Sequence, residues 1–88
     1  MAFDLHRAYR LNPAAAIRPE PFGALVYHFG NRRLSFLKSP RLVTAVRLLE
    51  SHVCAADALE AAGVPAAQRA RYAVALAALA DSEVIDAR

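Results

Sequence analysis

Apolar positions along the chain follow two regimes. Up to Lys38 they form short runs of strand type, and from Ser39 onward they recur at helical spacing. The stretch FGALVYHFGNRRLSFLK, residues 22–38, places two runs rich in β-branched and aromatic residues on either side of Gly30-Asn31. Such a pair between such runs predicts a β-hairpin with a two-residue turn. Gly30 then occupies the first central position of a type II′ turn, where φ must be positive. This register pairs Phe29 with Arg32, Tyr27 with Leu34 and Leu25 with Phe36 on one face of the sheet. His28 with Arg33, Val26 with Ser35 and Ala24 with Leu37 share the other. The first face is the more aromatic and is expected to be buried, the second to meet water. Residues flanking a two-residue turn exchange backbone bonds, and the pattern then alternates. The outward N–H and C=O groups of the second strand are therefore expected at Arg33, Ser35 and Leu37. That strand reads either as half of a stable hairpin or as an open edge awaiting a partner.

Upstream, Phe3, Leu5, Tyr9 and Leu11 mostly alternate with polar residues, so residues 1–12 read as an extended N-terminal arm, or as a short helix capped by Asp4. After Asn12-Pro13, residues 14–18 read as a short strand that stops at Pro19-Glu20-Pro21. Three strands in sequence are simplest as a meander. Downstream, Ser39-Pro40 is a helix start, with Ser as cap and Pro at the first helical position. Leu42, Val46 and Leu49 form its stripe, and the helix is expected over 40–51. A second helix is expected over 55–62 with Leu59 inward, ended by Gly63 and Pro65. A third is expected over 66–81, with Ala73, Leu76, Leu79 and Ala80 inward and Tyr72 beside them. Val84 and Ile85 would pack back as a tail. The expected fold is α+β: a three-stranded antiparallel sheet followed by three helices, similar to a winged helix-turn-helix.

The chain has 88 residues, enough for one domain with a small core. Its 57% apolar content excludes a disordered chain. The net charge of +3 comes from scattered arginines, which a solvated surface explains as well as an acidic partner does. Cys54 is the single cysteine, so no internal disulfide forms, which fits a reducing, cytoplasmic setting. No apolar run approaches the ~20 residues of a membrane span.

Catalytic patterns are missing. His6, His28 and His52 are far apart, lack acidic or thiol companions, and read as surface or half-buried histidines rather than metal ligands. Cys54 has no Cys–His signature, Ser35 and Ser39 sit in no nucleophile elbow, and the three glycines form no phosphate-cradling loop. A non-enzyme with no cofactor is expected. Arg69 and Arg71 could reach nucleic acid in a winged helix. The rest of that helix is nearly all Ala, Val and Leu, which leaves few side chains to read bases.

The stretch RPEPFGALVYHFGNRRLSFLKSP, with the preceding AYRLNP, resembles the mycofactocin-system peptide chaperone family. The element order is similar to that of the wider class of precursor-peptide recognition elements, such as the pyrroloquinoline quinone chaperone. The resemblance implies a protein without catalytic residues. It would bind the leader of a ribosomally made precursor peptide and present it to a radical S-adenosylmethionine maturase. It implies that the leader adds as a strand beside residues 33–38 and lies against the third helix. The expected peptide-binding residues are Arg33, Leu34, Ser35, Phe36, Leu37, Lys38, Arg69, Tyr72 and Leu76. Core packing is the competing reading for Leu34, Phe36 and Leu76. A winged-helix nucleic-acid binder and a dimerisation module using the same open edge are the alternatives in function.

Overall fold

A computed structural model describes residues 3–88. Met1 and Ala2, the start of the expected arm, lie outside the described residues. The elements run β1 (Tyr9–Leu11), β2 (Ala15–Glu20), β3 (Gly23–His28), β4 (Leu34–Leu37), α1 (Pro40–Leu48), α2 (Ala55–Ala61), α3 (Arg69–Asp81) and β5 (Ile85–Ala87). Strands β2, β3 and β4 form an antiparallel meander, and β1 pairs with β5 in a separate two-stranded ribbon. The fold is thus mixed α+β with the expected sheet and three helices.

The helices start and stop where their local chemistry dictates. Ser39 caps α1, its hydroxyl accepting from the Leu42 N–H, and Pro40 follows at the first helical position. The last turn of α1 tightens into a 3-10 turn over Leu49–Ser51. Cys54 precedes α2 without a side-chain cap bond. The carbonyls of Leu5 and Arg7 instead accept from Ala56 and Ala55. Residues 4–7 therefore turn at Asp4, without forming a helix, and dock on α2, while residues 9–11 of the expected arm are extended as β1.

The register of the hairpin is as expected, with Ala24 opposite Leu37, Leu25 opposite Phe36, Val26 opposite Ser35 and Tyr27 opposite Leu34. Three of its details differ. The buried face is the other one: Ala24, Val26, His28 and Leu37 are buried, whereas Tyr27, Phe29, Leu34 and Phe36 are exposed. The inner face packs on α1, whose Ala45 and Val46 are buried beside it. Small residues such as Ala24 and Ala45 allow that close approach, and aromatic rings would not fit. The turn also differs. Gly30 does not have positive φ; Arg32 does, at +63°. Four residues, Phe29 to Arg32, close over the His28 ring, whose Nδ1 accepts from the Gly30 and Asn31 N–H groups. His28 is buried rather than at the surface or half-buried. Finally, the His28 N–H donates to the Arg33 carbonyl. That bond sets the phase of the ladder: Val26–Ser35 and Ala24–Leu37 exchange bonds, and the outward groups of β4 belong to Leu34 and Phe36 rather than to Arg33, Ser35 and Leu37.

Strand β2 runs through Pro19 to Glu20 instead of stopping at Arg18. The Phe29 N–H donates to the Ala14 carbonyl, so even-numbered residues of β2 bond β3. Pro19, opposite Ala24, faces outward, where its missing N–H costs no ladder bond.

Candidate functional site

The three-stranded sheet has two edges, and they are unequal. On β2 the outward positions are Ala15, Ile17 and Pro19. The Ala15 N–H is taken by the Asn12 carbonyl, and Pro19 has no N–H. On β4 the outward positions are Leu34 and Phe36, each with an N–H and a C=O that the meander does not use. Among the described residues, β4 is the edge of this sheet that offers a row suited to another strand.

A groove of about 240 Å³ opens at the end of β4, lined by Lys38, Ser39, Leu42, Arg71, Tyr72 and Ala75. One side is thus the start of α1 and the other is α3. The Ser39 hydroxyl and the Tyr72 hydroxyl lie 3.1 Å apart and hold the two sides together. A second hollow of about 430 Å³, lined by Pro40, Arg41, Thr44 and Ala62, shares Ser39 and Tyr72 with the first. The groove combines apolar surface from Leu42 and Ala75 with two cations, Lys38 and Arg71. It suits an extended peptide that carries an apolar side chain near a carboxylate.

The expected site residues divide. Leu34 and Phe36 are exposed on β4, so they are not core, and their backbones face the open edge. Lys38 and Tyr72 line the groove. Arg33 is exposed in the hairpin loop, and Ser35 is half-buried on the inner face. Leu37 and Leu76 are fully buried. For Leu76 core packing is the correct reading, and Leu37 belongs to the inner face that α1 covers. Arg69 does not line the groove. It reaches Glu60 of α2 at 3.6 Å, and its Nε is buried without a hydrogen-bond partner among the described residues. Ser39, Leu42 and Ala75, absent from the expected set, complete the groove together with Arg71, whose charge flanks it as that of Lys38 does. Ser39 already has a role as cap. In an alanine-rich helix the contrast between faces is too low to show that Arg71, Tyr72 and Ala75 share one. Among the described residues no three His, Cys, Asp or Glu side chains cluster as metal ligands.

Comparison with known proteins gives the lineage of this arrangement. The pattern of the peptide chaperone MftB family matches residues 8–86. The chain belongs to that family. It is 49% identical over 84 residues to a peptide chaperone MftB of Mycobacterium ulcerans (strain Agy99), which covers 96% of this chain and 77% of the relative. It is 48% identical over 85 residues to that of Mycolicibacterium smegmatis (strain ATCC 700084 / mc(2)155), 97% and 83% of the two chains. The protein of Mycobacterium tuberculosis (strain ATCC 25618 / H37Rv) is 45% identical over 83 residues, 94% and 76%. No solved structure matches the chain. The span matched to the MftB family contains the whole of the β4 edge and the groove beside it. Among the described residues no helix is long and apolar enough to cross a membrane.

Proposed function

We propose that this chain is a non-catalytic peptide chaperone of mycofactocin biosynthesis, acting in the cytoplasm as a single peptide-recognition domain. It holds the leader of a ribosomally made precursor as a fourth strand on β4. It presents the far end of that peptide to a radical S-adenosylmethionine maturase. The observation that carries this reading is the unpaired β4 edge running into the groove between α1 and α3. Membership in a family whose relatives are named peptide chaperones supports it. The order of sheet then helices also fits the winged-helix-like arrangement of precursor-peptide recognition elements.

The energetics suit a carrier that must release its cargo. Each backbone hydrogen bond to Leu34 or Phe36 contributes about 0.5–1.5 kcal/mol net. One leader side chain buried in the groove contributes roughly 1.5–3 kcal/mol. These contributions, at most about 9 kcal/mol before the cost of ordering the peptide, allow a complex no tighter than the micromolar range. Nucleic-acid binding finds no support, since Arg69 is engaged by Glu60 and α3 is otherwise almost wholly apolar.

Calorimetric titration of the protein with the leader peptide, and separately with duplex DNA, tests the proposal. Saturable micromolar binding of the leader and none of the DNA is expected. The converse result would replace the peptide reading with the nucleic-acid one.

A further inference from the structure

The leader reading uses the edge of the sheet and leaves its outer face unexplained. That face carries Phe22, Tyr27, Phe29, Leu34 and Phe36, which are 43%, 37%, 65%, 53% and 55% exposed. They form one patch. Tyr27 and Phe29 meet edge to face at 4.9 Å, Phe22 and Phe36 lie 6.3 Å apart, and Tyr27 stands directly opposite Leu34 across the strands. At about 200 Å² for a whole aromatic side chain, the exposed part comes to roughly 500 Å². That is near the upper end for the largest apolar patch of a monomer, the range in which such patches serve as contacts.

The charges around the patch point to its occupant. Of the cations in residues 15–38, Arg18 lies on the outer face, paired there with Glu20 at 3.2 Å, and Arg32 lies in the loop that carries Phe29, whereas Arg33 falls on the inner side by register and Lys38 lines the groove. Arg18 and Arg32 are both exposed. A two-fold contact between copies would set this cationic rim against itself. The complement is an apolar patch with an acidic rim. The face is also a flat, pre-packed sheet surface rather than an amphipathic helix, which fits a folded protein better than a lipid surface.

We infer that the outer face of the β2–β3–β4 sheet docks a folded protein with an acid-rimmed apolar surface. Resting on the chaperone reading, that protein is the maturase. The geometry links the two sites. Leu34 and Phe36 present their side chains to this face and their backbones to the edge. A leader strand added at β4 would extend the surface on which the maturase sits, so peptide and enzyme meet in one plane without competing.

The test uses the intact protein and two double variants, Tyr27→Thr/Phe29→Ser on the face and Arg18→Glu/Arg32→Glu on the rim. Neither pair touches the outward backbone of β4 or the groove. Each is titrated with the purified maturase and, separately, with the leader peptide, and circular dichroism reports folding. The face variant should lose maturase affinity by at least about tenfold and keep leader affinity within about twofold. The rim variant should flatten the salt dependence of maturase binding. Undiminished maturase binding by both folded variants overturns the inference. So does a native dimer in sedimentation that the face variant dissolves, which would assign the patch to a second copy. Flotation of the native protein with anionic vesicles, lost in the face variant while maturase affinity is unchanged, would assign it to a membrane. If the native protein fails to bind leader while its maturase contact still depends on Tyr27 and Phe29, the docking surface stands and the chaperone reading falls.

Discussion

At Gly23 φ is +148°, and a Cβ there would overlap the Leu37 carbonyl oxygen and lie 3.0 Å from the Ser39 nitrogen. Both obstacles are backbone and cannot swing aside. Gly30 is constrained differently: a Cβ there would lie 2.8 Å from Cε1 of the buried His28 ring. That ring is a side chain, though one held by two backbone N–H donors. Gly23→Ala should therefore lower stability by at least about 2 kcal/mol, and Gly30→Ala by about 1 kcal/mol. Urea unfolding of both variants checks the order, and equal losses would contradict it. The need for glycine at position 30 is legible in the sequence, but its reason is not. A Gly-Asn pair signals a tight turn, and nothing local reveals that an imidazole sits beneath the loop or that the positive φ falls at Arg32.

Among the elements, β4 is where the expected pattern and the observed one part most instructively. Pairing register follows from the run lengths on either side of Gly30-Asn31, and it holds residue for residue. Ladder phase depends on the loop: two residues would have turned the Ser35 backbone outward, whereas four turn it inward and expose Phe36. Burial depends on what packs against the sheet, and α1 comes close enough to demand Ala24 and Val26 rather than rings. Neither choice is written in the alternation itself, because an alternating strand is equally consistent with either face inward. The corrected phase changes which proline is harmful. Phe36→Pro deletes an outward N–H and should leave a folded protein. Its leader affinity should fall at least about tenfold, ~1.4 kcal/mol, below that of Phe36→Ala. Ser35→Pro deletes a bond within the hairpin and should unfold it. Circular dichroism with calorimetric titration distinguishes them. A folded Ser35→Pro that binds weakly beside a Phe36→Pro that binds at full strength would restore the other phase.

For the whole molecule, the two chain ends are drawn together by the β1–β5 ribbon. The Asn12 amide donates to the Asp86 carboxylate at 2.9 Å across 74 residues, and the Arg88 guanidinium caps the carbonyls of Glu50 and His52. Val84 and Ile85 are fully buried in the same core as Leu49 and Leu59. A tail packing back is legible from two apolar residues after a helix stop. Its pairing with Tyr9–Leu11 is not, because a contact so distant in sequence leaves no local pattern. Ile85→Ala should cost about 2–4 kcal/mol in urea unfolding. Below its transition the variant should bind leader like the native protein, since the ribbon contributes nothing to the β4 edge. Weakened binding by the folded variant would tie the ribbon to the site.

Amide hydrogen exchange at β4, read residue by residue with and without leader peptide, tests whether the leader joins the sheet there. In the free protein the Leu34 and Phe36 amides should exchange quickly, and those of Ser35 and Leu37, bonded within the sheet, slowly. Saturating leader should slow Leu34 and Phe36 and leave Ser35 and Leu37 little changed. Unaltered exchange at Leu34 and Phe36 under saturation would mean that the peptide does not join the sheet at β4.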